Sequence, residues 1–155
     1  MKTMRTSLSA LVVMLVVGLT MPAVASANWA DDIVVYTNRV RAAYGLPALY
    51  VNDSLSDAAL YHARNMAYQH CYGHVLDGYG PGDRMHAFGY DWTTYAENVA
   101  WNRGYRYPAY EAMRWWINSP GHFQNILNPN VTEIGVGIAQ GRNGTYFYCQ
   151  LFGSR

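Results

Sequence analysis

Among the histidines and acidic residues of this 155-residue sequence, three lie beside short motifs in separate segments and could catalyse a reaction or bind a metal ion: His74, Glu97 and His122. Two imidazoles and a carboxylate can hold a zinc ion with an open coordination position, or work as a general acid and base. A histidine taken alone is more often a hydrogen-bonded structural residue than a reactive one. The surrounding sequence therefore has to show whether these three residues form a site.

His122 follows a predicted amphipathic helix. Pro108 suits the first turn of that helix, and the apolar residues after it recur at helical spacing: Ala109, Ala112, Met113, Trp116 and Ile117. Pro120 disfavours the α conformation in the residue before it, and Gly121 tolerates a positive φ. The helix should therefore end near Asn118, and His122 should lie in a turn that follows.

Two further helices are predicted in the first half of the chain. The first runs from Ile33 to Tyr44, and the second follows Asn52–Asp57, a segment rich in helix-capping side chains. His62 falls among the apolar residues of the second helix, so it is predicted to be a core histidine. Residues 71–94 lose this periodicity and are predicted to form a loop that contains one short helix.

The end of the chain has the pattern of a β-hairpin. Ile134, Val136 and Ile138 alternate with glycines, Asn143-Gly144 predicts a type I′ turn, and Tyr146–Phe152 returns as a second strand. The alternating glycines leave one face of the first strand bare. Another element is therefore expected to pack closely against that face.

Four short motifs follow one another along the chain: Gly73-His74, Glu97-Asn98-Val99-Ala100, Ser119-Pro120-Gly121-His122 and Thr132 to Gly137. On these motifs the chain resembles the CAP superfamily, which groups the cysteine-rich secretory, antigen 5 and pathogenesis-related-1 proteins. It is most similar to the short prokaryotic-type SCP domains of that superfamily. The resemblance extends from about Ile33 to Phe152, and it departs from the family pattern where Ala96 replaces the glycine before Glu97.

The resemblance implies an α+β domain, an α-β-α sandwich with a three- or four-stranded antiparallel sheet between helical layers. It also implies that His74, Glu97 and His122 share one cleft, with all three as candidate catalytic residues and the two histidines as candidate metal ligands. The second glutamate of the family corresponds to Asn118 or Ser119 in this chain. We therefore expect Zn²⁺ or another divalent cation to bind only weakly, and hydrolysis to lose its obvious general base.

The first 27 residues have the features of a secretory signal peptide. Lys2 and Arg5 precede an apolar run at residues 10–19, and Ala25-Ser26-Ala27 is a small-residue cleavage site. We therefore expect residues 28–155 to form a secreted, extracellular SCP-type domain, and no later stretch approaches the roughly 20 apolar residues of a membrane span. Removal of the two basic residues takes the net charge from +1 to −1, which predicts no nucleic-acid partner.

The two cysteines, Cys71 and Cys149, both lie after the predicted cleavage site. In an oxidising compartment an intramolecular disulfide bond between them is expected. The alternative is a pair of separate thiols, because free cysteines are often buried as small apolar residues.

Aromatic residues make up 15% of the chain, with 14 tyrosines and 5 tryptophans against 4 phenylalanines. Tyrosine and tryptophan combine an apolar body with a polar tip. They predict either a tyrosine-rich core or a groove that accepts sugars or amphipathic molecules. Together with the resemblance, this predicts a binding or interaction module for a lipid, a glycan or a protein. The alternative is a metal-dependent, peptidase-like hydrolase that uses the His74, Glu97 and His122 cleft.

Overall fold

The computed structural model describes residues 28–155, so the predicted signal peptide and its cleavage site lie outside the described residues. Five helices and four strands follow one another in the described part: α1 (Trp29–Ala43), β1 (Tyr50–Val51), α2 (Asp53–Gln69), α3 (Pro81–Ala87), β2 (Thr94–Asn102), α4 (Pro108–Ile117), α5 (Pro120–Ile126), β3 (Glu133–Gln140) and β4 (Tyr146–Ser154).

The four strands form one sheet in the order β1-β3-β4-β2. Strand β4 pairs antiparallel with both β2 and β3, whereas β1 pairs parallel with β3 through Tyr50 and Val51. The predicted α+β sandwich is therefore confirmed, but the prediction of a purely antiparallel sheet is wrong. The parallel strand is only two residues long and depends on β3, which lies far later in the chain, so no local pattern marks it.

Helices cover both faces of the sheet and create two apolar cores. One core joins α1, α4 and α5 to the sheet and contains large side chains such as Trp116, Tyr148 and Phe152. The other joins α2 and α3 to the opposite face and contains small side chains such as Ala59 and Ala63. Strand β4 lies between the two cores and is buried along most of its length. This central position explains why its sequence is mostly apolar rather than alternating.

The second core is thin because α2 lies directly on β3. A Cβ atom on Gly135 would lie 2.2 Å from the backbone carbon of Leu55, and one on Gly137 would lie 2.1 Å from the backbone nitrogen of Leu60. Both distances are far below a normal contact, so only glycine allows this approach. The predicted close packing against the glycine-bearing strand is confirmed.

Helix α2 also brings His62 into the core, as predicted. The residue is fully buried, and its Nε2 atom lies 2.8 Å from the carbonyl oxygen of Gly73. Burial lowers the pKa of His62. The neutral ring therefore connects α2 to the start of the loop that carries His74.

Two details of the second half differ from the sequence-based expectation. The helix before Asn118 ends as predicted, but Pro120 begins α5 rather than a simple turn, and His122 lies in the first part of that helix. The hairpin of β3 and β4 is confirmed, but its predicted type I′ turn is wrong. Gly144 has a φ of +80°, whereas Asn143 does not adopt the positive φ that a type I′ turn requires at both central residues.

The predicted disulfide bond is also wrong, because Cys71 and Cys149 are both free thiols. Cys71 is exposed after the end of α2, whereas Cys149 is buried in the middle of β4. The thiol of Cys149 donates to Oε2 of Glu97 at 3.2 Å instead.

None of the helices in residues 28–155 has the length and apolar character of a membrane-spanning segment.

Candidate functional site

Glu97 lies at the centre of the candidate site, on β2, and its side chain is only 2% exposed. Oε1 accepts a hydrogen bond from Nδ1 of His74 at 2.8 Å. Oε2 accepts from Nη2 of Arg84 and from the thiol of Cys149. Both carboxylate oxygens are therefore occupied by protein groups.

Arg84 neutralises this buried carboxylate from α3, and its own side chain is 3% exposed. Its Nη1 atom donates to the carbonyl oxygens of His74 at 3.0 Å and Tyr79 at 2.9 Å. One guanidinium thus holds the loop that carries His74 against both α3 and Glu97. The ion pair fixes the position of the histidine.

The charge state of Glu97 follows from three competing effects. Burial alone would raise the pKa of Glu97, but the hydrogen bond from His74 and the charge of Arg84 outweigh it and hold the pKa below its ordinary value. For the Cys149 thiol, burial and then the charge of Glu97 raise the pKa well above its usual range. Glu97 is therefore ionised at neutral pH, and Cys149 remains a protonated donor.

His122 approaches the same region from α5. Its Nδ1 atom lies 2.7 Å from the hydroxyl oxygen of Ser119, the residue before the helix. Burial, and after it the charge on His74, lowers the pKa of His122. The ring of His122 is therefore neutral at neutral pH.

Amide side chains hold α5 against β2. Nδ2 of Asn98 donates to the carbonyl oxygen of His122 at 3.1 Å, and Nδ2 of Asn125 donates to the carbonyl oxygen of Glu97 at 3.1 Å. A second bond of Asn98 reaches Oε1 of Gln150 at 3.1 Å, and Gln150 in turn donates to the Thr37 hydroxyl at 2.7 Å. This buried polar chain connects the site to β4 and α1.

A groove of about 160 Å³ opens beside His122. We call it the aromatic groove, and its lining residues are Tyr72, Val99, Ala100, Trp101, Trp115, Trp116, Ser119 and His122. Of its aromatic residues, Tyr72, Trp101 and Trp115 remain 38–47% exposed. The buried Trp116 donates from Nε1 to the carbonyl oxygen of Val99 at 3.0 Å, so the floor of the groove is fixed. A fixed floor and exposed aromatic faces suit a binding surface.

The strongest candidates for holding a metal ion are the Nε2 atoms of His74 and His122, because Nδ1 of each ring is already hydrogen-bonded within the protein. The Nδ1 atom of His74 is engaged by Glu97, so its Nε2 atom is the candidate ligand atom, and its side chain is 51% exposed. In metal sites, the ring nitrogen of a histidine that does not bind the metal commonly donates to such a carboxylate. Across residues 28–155, however, no three His, Cys, Asp or Glu side chains are arranged to hold a metal. The described residues therefore do not supply the three protein ligands of a typical catalytic zinc site.

The position of the missing acid, Asn118 or Ser119, carries an uncharged side chain in either case. Nδ2 of Asn118 donates to the carbonyl oxygen of Arg114 at 2.7 Å and so caps the end of α4. Glu111 does not replace the acid, because it pairs with the Arg114 guanidinium at 2.8 Å. Neither residue contributes a carboxylate to the cleft.

Sequence reasoning missed most of the residues that support the three predicted ones. Arg84 falls in the short helix that is predicted within residues 71–94, but nothing in the spacing of Arg84 and Glu97 indicates an ion pair. Cys149, Asn98 and Asn125 were missed as partners for the same reason. For Cys149, the sequence of β4 did contain a signal of burial. Phe147, Cys149 and Leu151 alternate along the strand, and all three side chains belong to the core that α2 covers.

Comparison with known proteins agrees with this architecture. The model of the CAP family, described as the cysteine-rich secretory protein family, matches residues 34–152. The uncharacterized protein YkwD of Bacillus subtilis is 37% identical over 122 residues, which cover 78% of this chain and 46% of YkwD. The chain therefore spans less than half the length of this relative.

Solved structures show the same fold. An extracellular SCP-domain protein of Bacillus anthracis aligns with a TM-score of 0.73 and 28% identity, over 82% of this chain and 40% of that protein. An outer surface protein of Borrelia burgdorferi aligns with a TM-score of 0.76 and 20% identity, over 85% of this chain and 96% of that protein. With the family match over residues 34–152, these likenesses show that the chain belongs to the CAP family of cysteine-rich secretory proteins.

Proposed function

We propose that this chain is a secreted, extracellular binding module, and that its aromatic groove accepts a glycan, a lipid-like amphipathic molecule or a protein segment. The observation that carries the proposal is a contrast between two neighbouring parts of the site. Both carboxylate oxygens of Glu97 are buried and already hydrogen-bonded, whereas the aromatic rings of Tyr72, Trp101 and Trp115 are exposed. Exposed aromatic faces bind sugars and apolar groups, because they offer contact area with little loss of side-chain entropy.

The same contrast argues against Glu97 as a general base. A base must reach the proton that it removes, at about 2.6–3.2 Å or through one water. Glu97 is 2% exposed and already paired with Arg84, so a substrate cannot approach it without breaking the buried ion pair. Glu97 is better described as a positioning residue for His74.

One observation favours a hydrolase as the second candidate. The hydroxyl of Ser119 lies 2.7 Å from Nδ1 of His122, within the distance at which a histidine activates a serine. Ser119 also lines the aromatic groove. The weakness of this reading is that no carboxylate orients His122 in the described part of the chain. The same hydrogen bond also suits a structural role, because Ser119 precedes α5 and His122 lies in its first turn.

Tryptophan fluorescence can test the binding proposal with defined probes. The probes are cellotetraose and dodecyl maltoside, the latter kept below its critical micelle concentration. Native mass spectrometry of the purified protein detects co-purified ligands in parallel. We expect saturable binding of a probe or a co-purified ligand in the wild type. Absence of both, or hydrolysis of peptide or ester substrates that Ser119→Ala or His122→Ala abolishes, would overturn the proposal.

Matched variants locate the binding surface. Trp115→Ala and Tyr72→Ala remove walls of the aromatic groove, whereas Tyr50→Ala removes an aromatic residue that is 77% exposed on β1. The first two should weaken binding about tenfold each, which is a typical value for loss of a stacking contact. Tyr50→Ala should leave binding unchanged, and an equal loss in all three would show nonspecific adsorption.

A further inference from the structure

A second and larger groove, of about 530 Å³, lies where the end of α2 meets the loop between β3 and β4. Arg64 and Tyr68 enter it from α2, His70 from the residue that ends the helix, and Gln140 and Arg142 from the other side. We call it the cationic groove. It shares no lining residue with the aromatic groove.

The charge of this groove is positive and is not balanced locally. Both arginines are exposed, and no carboxylate lines the groove. Within residues 28–155, neither arginine forms an ion pair, whereas Arg84, Arg114 and Arg155 each pair with a glutamate. The groove therefore concentrates cationic groups that lack protein partners, although residues 28–155 together carry a net charge of −1.

The nearest acidic residues on α2 and the following loop are positioned elsewhere. Asp77 accepts hydrogen bonds from Asn65 and Gln69, which lie on a different side of α2 from Arg64. Asp57 shares the side of Arg64 but is seven residues away, or roughly 10 Å at the helical rise. Neither carboxylate is placed to neutralise the groove.

We propose that the cationic groove binds an anionic ligand that presents two acidic groups, phosphate or carboxylate, to Arg64 and Arg142. A guanidinium binds either group through two parallel N–H bonds, and the two arginines come from different elements on either side of the groove. The hydroxyl of Tyr68 and the amide of Gln140 supply further donors. A ligand with only one acidic group can satisfy only one arginine, so the groove selects for two.

Isothermal titration calorimetry tests this with two probes that separate the acidic groups. Tripolyphosphate supplies phosphates and hexagalacturonate supplies carboxylates, while inorganic phosphate is the single-group control. Binding of either multivalent probe, at least tenfold tighter than inorganic phosphate, is expected and assigns the acidic group. No binding of either probe in low-salt buffer would overturn the proposal, as would equal affinity for inorganic phosphate.

Four variants locate the site. Arg64→Gln and Arg142→Gln should each weaken binding of the multivalent probe about tenfold, because each removes one charge-assisted pair. Arg39→Gln removes an exposed positive charge from α1 and should have no effect. Trp115→Ala should also have no effect, which separates this groove from the aromatic groove. Equal losses in Arg39→Gln and Arg142→Gln would show a response to net charge alone and would refute the site.

Discussion

The candidate site has a closed half and an open half, which differ in how far their side chains are exposed to solvent. In the closed half, Glu97 and Arg84 are 2–3% exposed and form a buried ion pair. In the open half, the side chain of His74 is 51% exposed and Trp115 is 38% exposed. Burial therefore separates the groups that hold the site together from the groups that can contact a ligand.

Buried and exposed residues of the site contribute to different properties of the protein. A buried ion pair that loses one partner leaves an uncompensated charge, so its members are needed for stability. An exposed aromatic or histidine contributes little to stability but is available for binding. Substitutions in the closed half should therefore lower the free energy of unfolding, whereas substitutions in the open half should lower ligand affinity.

The largest effect is expected for Glu97→Gln. This change leaves the buried guanidinium of Arg84 without its counter-charge and should lower the free energy of unfolding by about 3–5 kcal/mol. Glu111→Gln breaks the more exposed pair with Arg114 and should cost less than about 1 kcal/mol. Urea unfolding monitored by circular dichroism measures both. Similar losses in the two variants would remove the distinction between the halves.

Acidification should reproduce part of that effect. The folded-state pKa of Glu97 is held below its ordinary value, so the unfolded chain takes up the proton first as the pH falls. The stabilisation is complete above the ordinary carboxyl pKa and is lost as the pH falls through the folded pKa. Because Glu97→Gln cannot titrate, the difference in unfolding free energy between it and the wild type should narrow on acidification. A difference that stays constant from pH 7 to pH 3 would contradict this assignment.

In the open half, Trp115→Ala should change binding far more than stability. Its ring lines the aromatic groove, so probe affinity should fall about tenfold, while the partly exposed position limits the loss of unfolding free energy to about 1 kcal/mol. The same urea and fluorescence experiments measure both quantities. If Trp115→Ala lowers the free energy of unfolding by more than about 3 kcal/mol, Trp115 is a stabilising residue like those of the closed half.

The sequence predicted the elements better than their contacts. Gly135 and Gly137 correctly indicated a close neighbour, since the absence of two side chains on one strand face is a local signal. The two-residue β1 was missed because its pairing with Glu133 and Ile134 is decided across the fold. Local patterns carry helix and strand signals, whereas pairing depends on which distant segments meet.

The helix after Ser119 shows how one motif allows two interpretations. A Ser-Pro pair is compatible with a turn, but serine before a helix and proline in its first position also form a common helix start. The structure favours the helix, and Asn125 near its end bonds to β2. The sequence contained the start signal, but not the contact that stabilises such a short helix.

The predicted disulfide failed for a related reason. Two cysteines after a signal-like segment favour a bridge on general grounds, but position within β4 decides the outcome. Cys149 points to the core with Phe147 and Leu151, and its thiol is occupied by Glu97. Cys71 is exposed beyond the end of α2. Counting cysteines could not show this difference, although the alternation in β4 indicated it in part.

The smallest expected effect is stabilisation by zinc in the open half. The described residues offer two imidazoles and no third ligand, so we expect a Kd on the order of 100 μM, at which an equal zinc concentration adds only about 0.4 kcal/mol. Because burial and the charge of His74 lower the pKa of His122, protons should not compete strongly for His122 at pH 7.5. Calorimetry and thermal unfolding at that pH measure the effect. His74→Ala and His122→Ala should each abolish it.

Cys71→Ser is the necessary control for the zinc measurement, because the exposed thiol lies three residues before His74 and thiolates bind zinc. If zinc binds through the two histidines, Cys71→Ser should retain the wild-type affinity. If the thiol is the true ligand, Cys71→Ser should lose binding and His122→Ala should keep it, which contradicts the two-histidine site. Submicromolar affinity that requires both histidines would instead show that a third ligand completes the site and would favour the metal-dependent hydrolase.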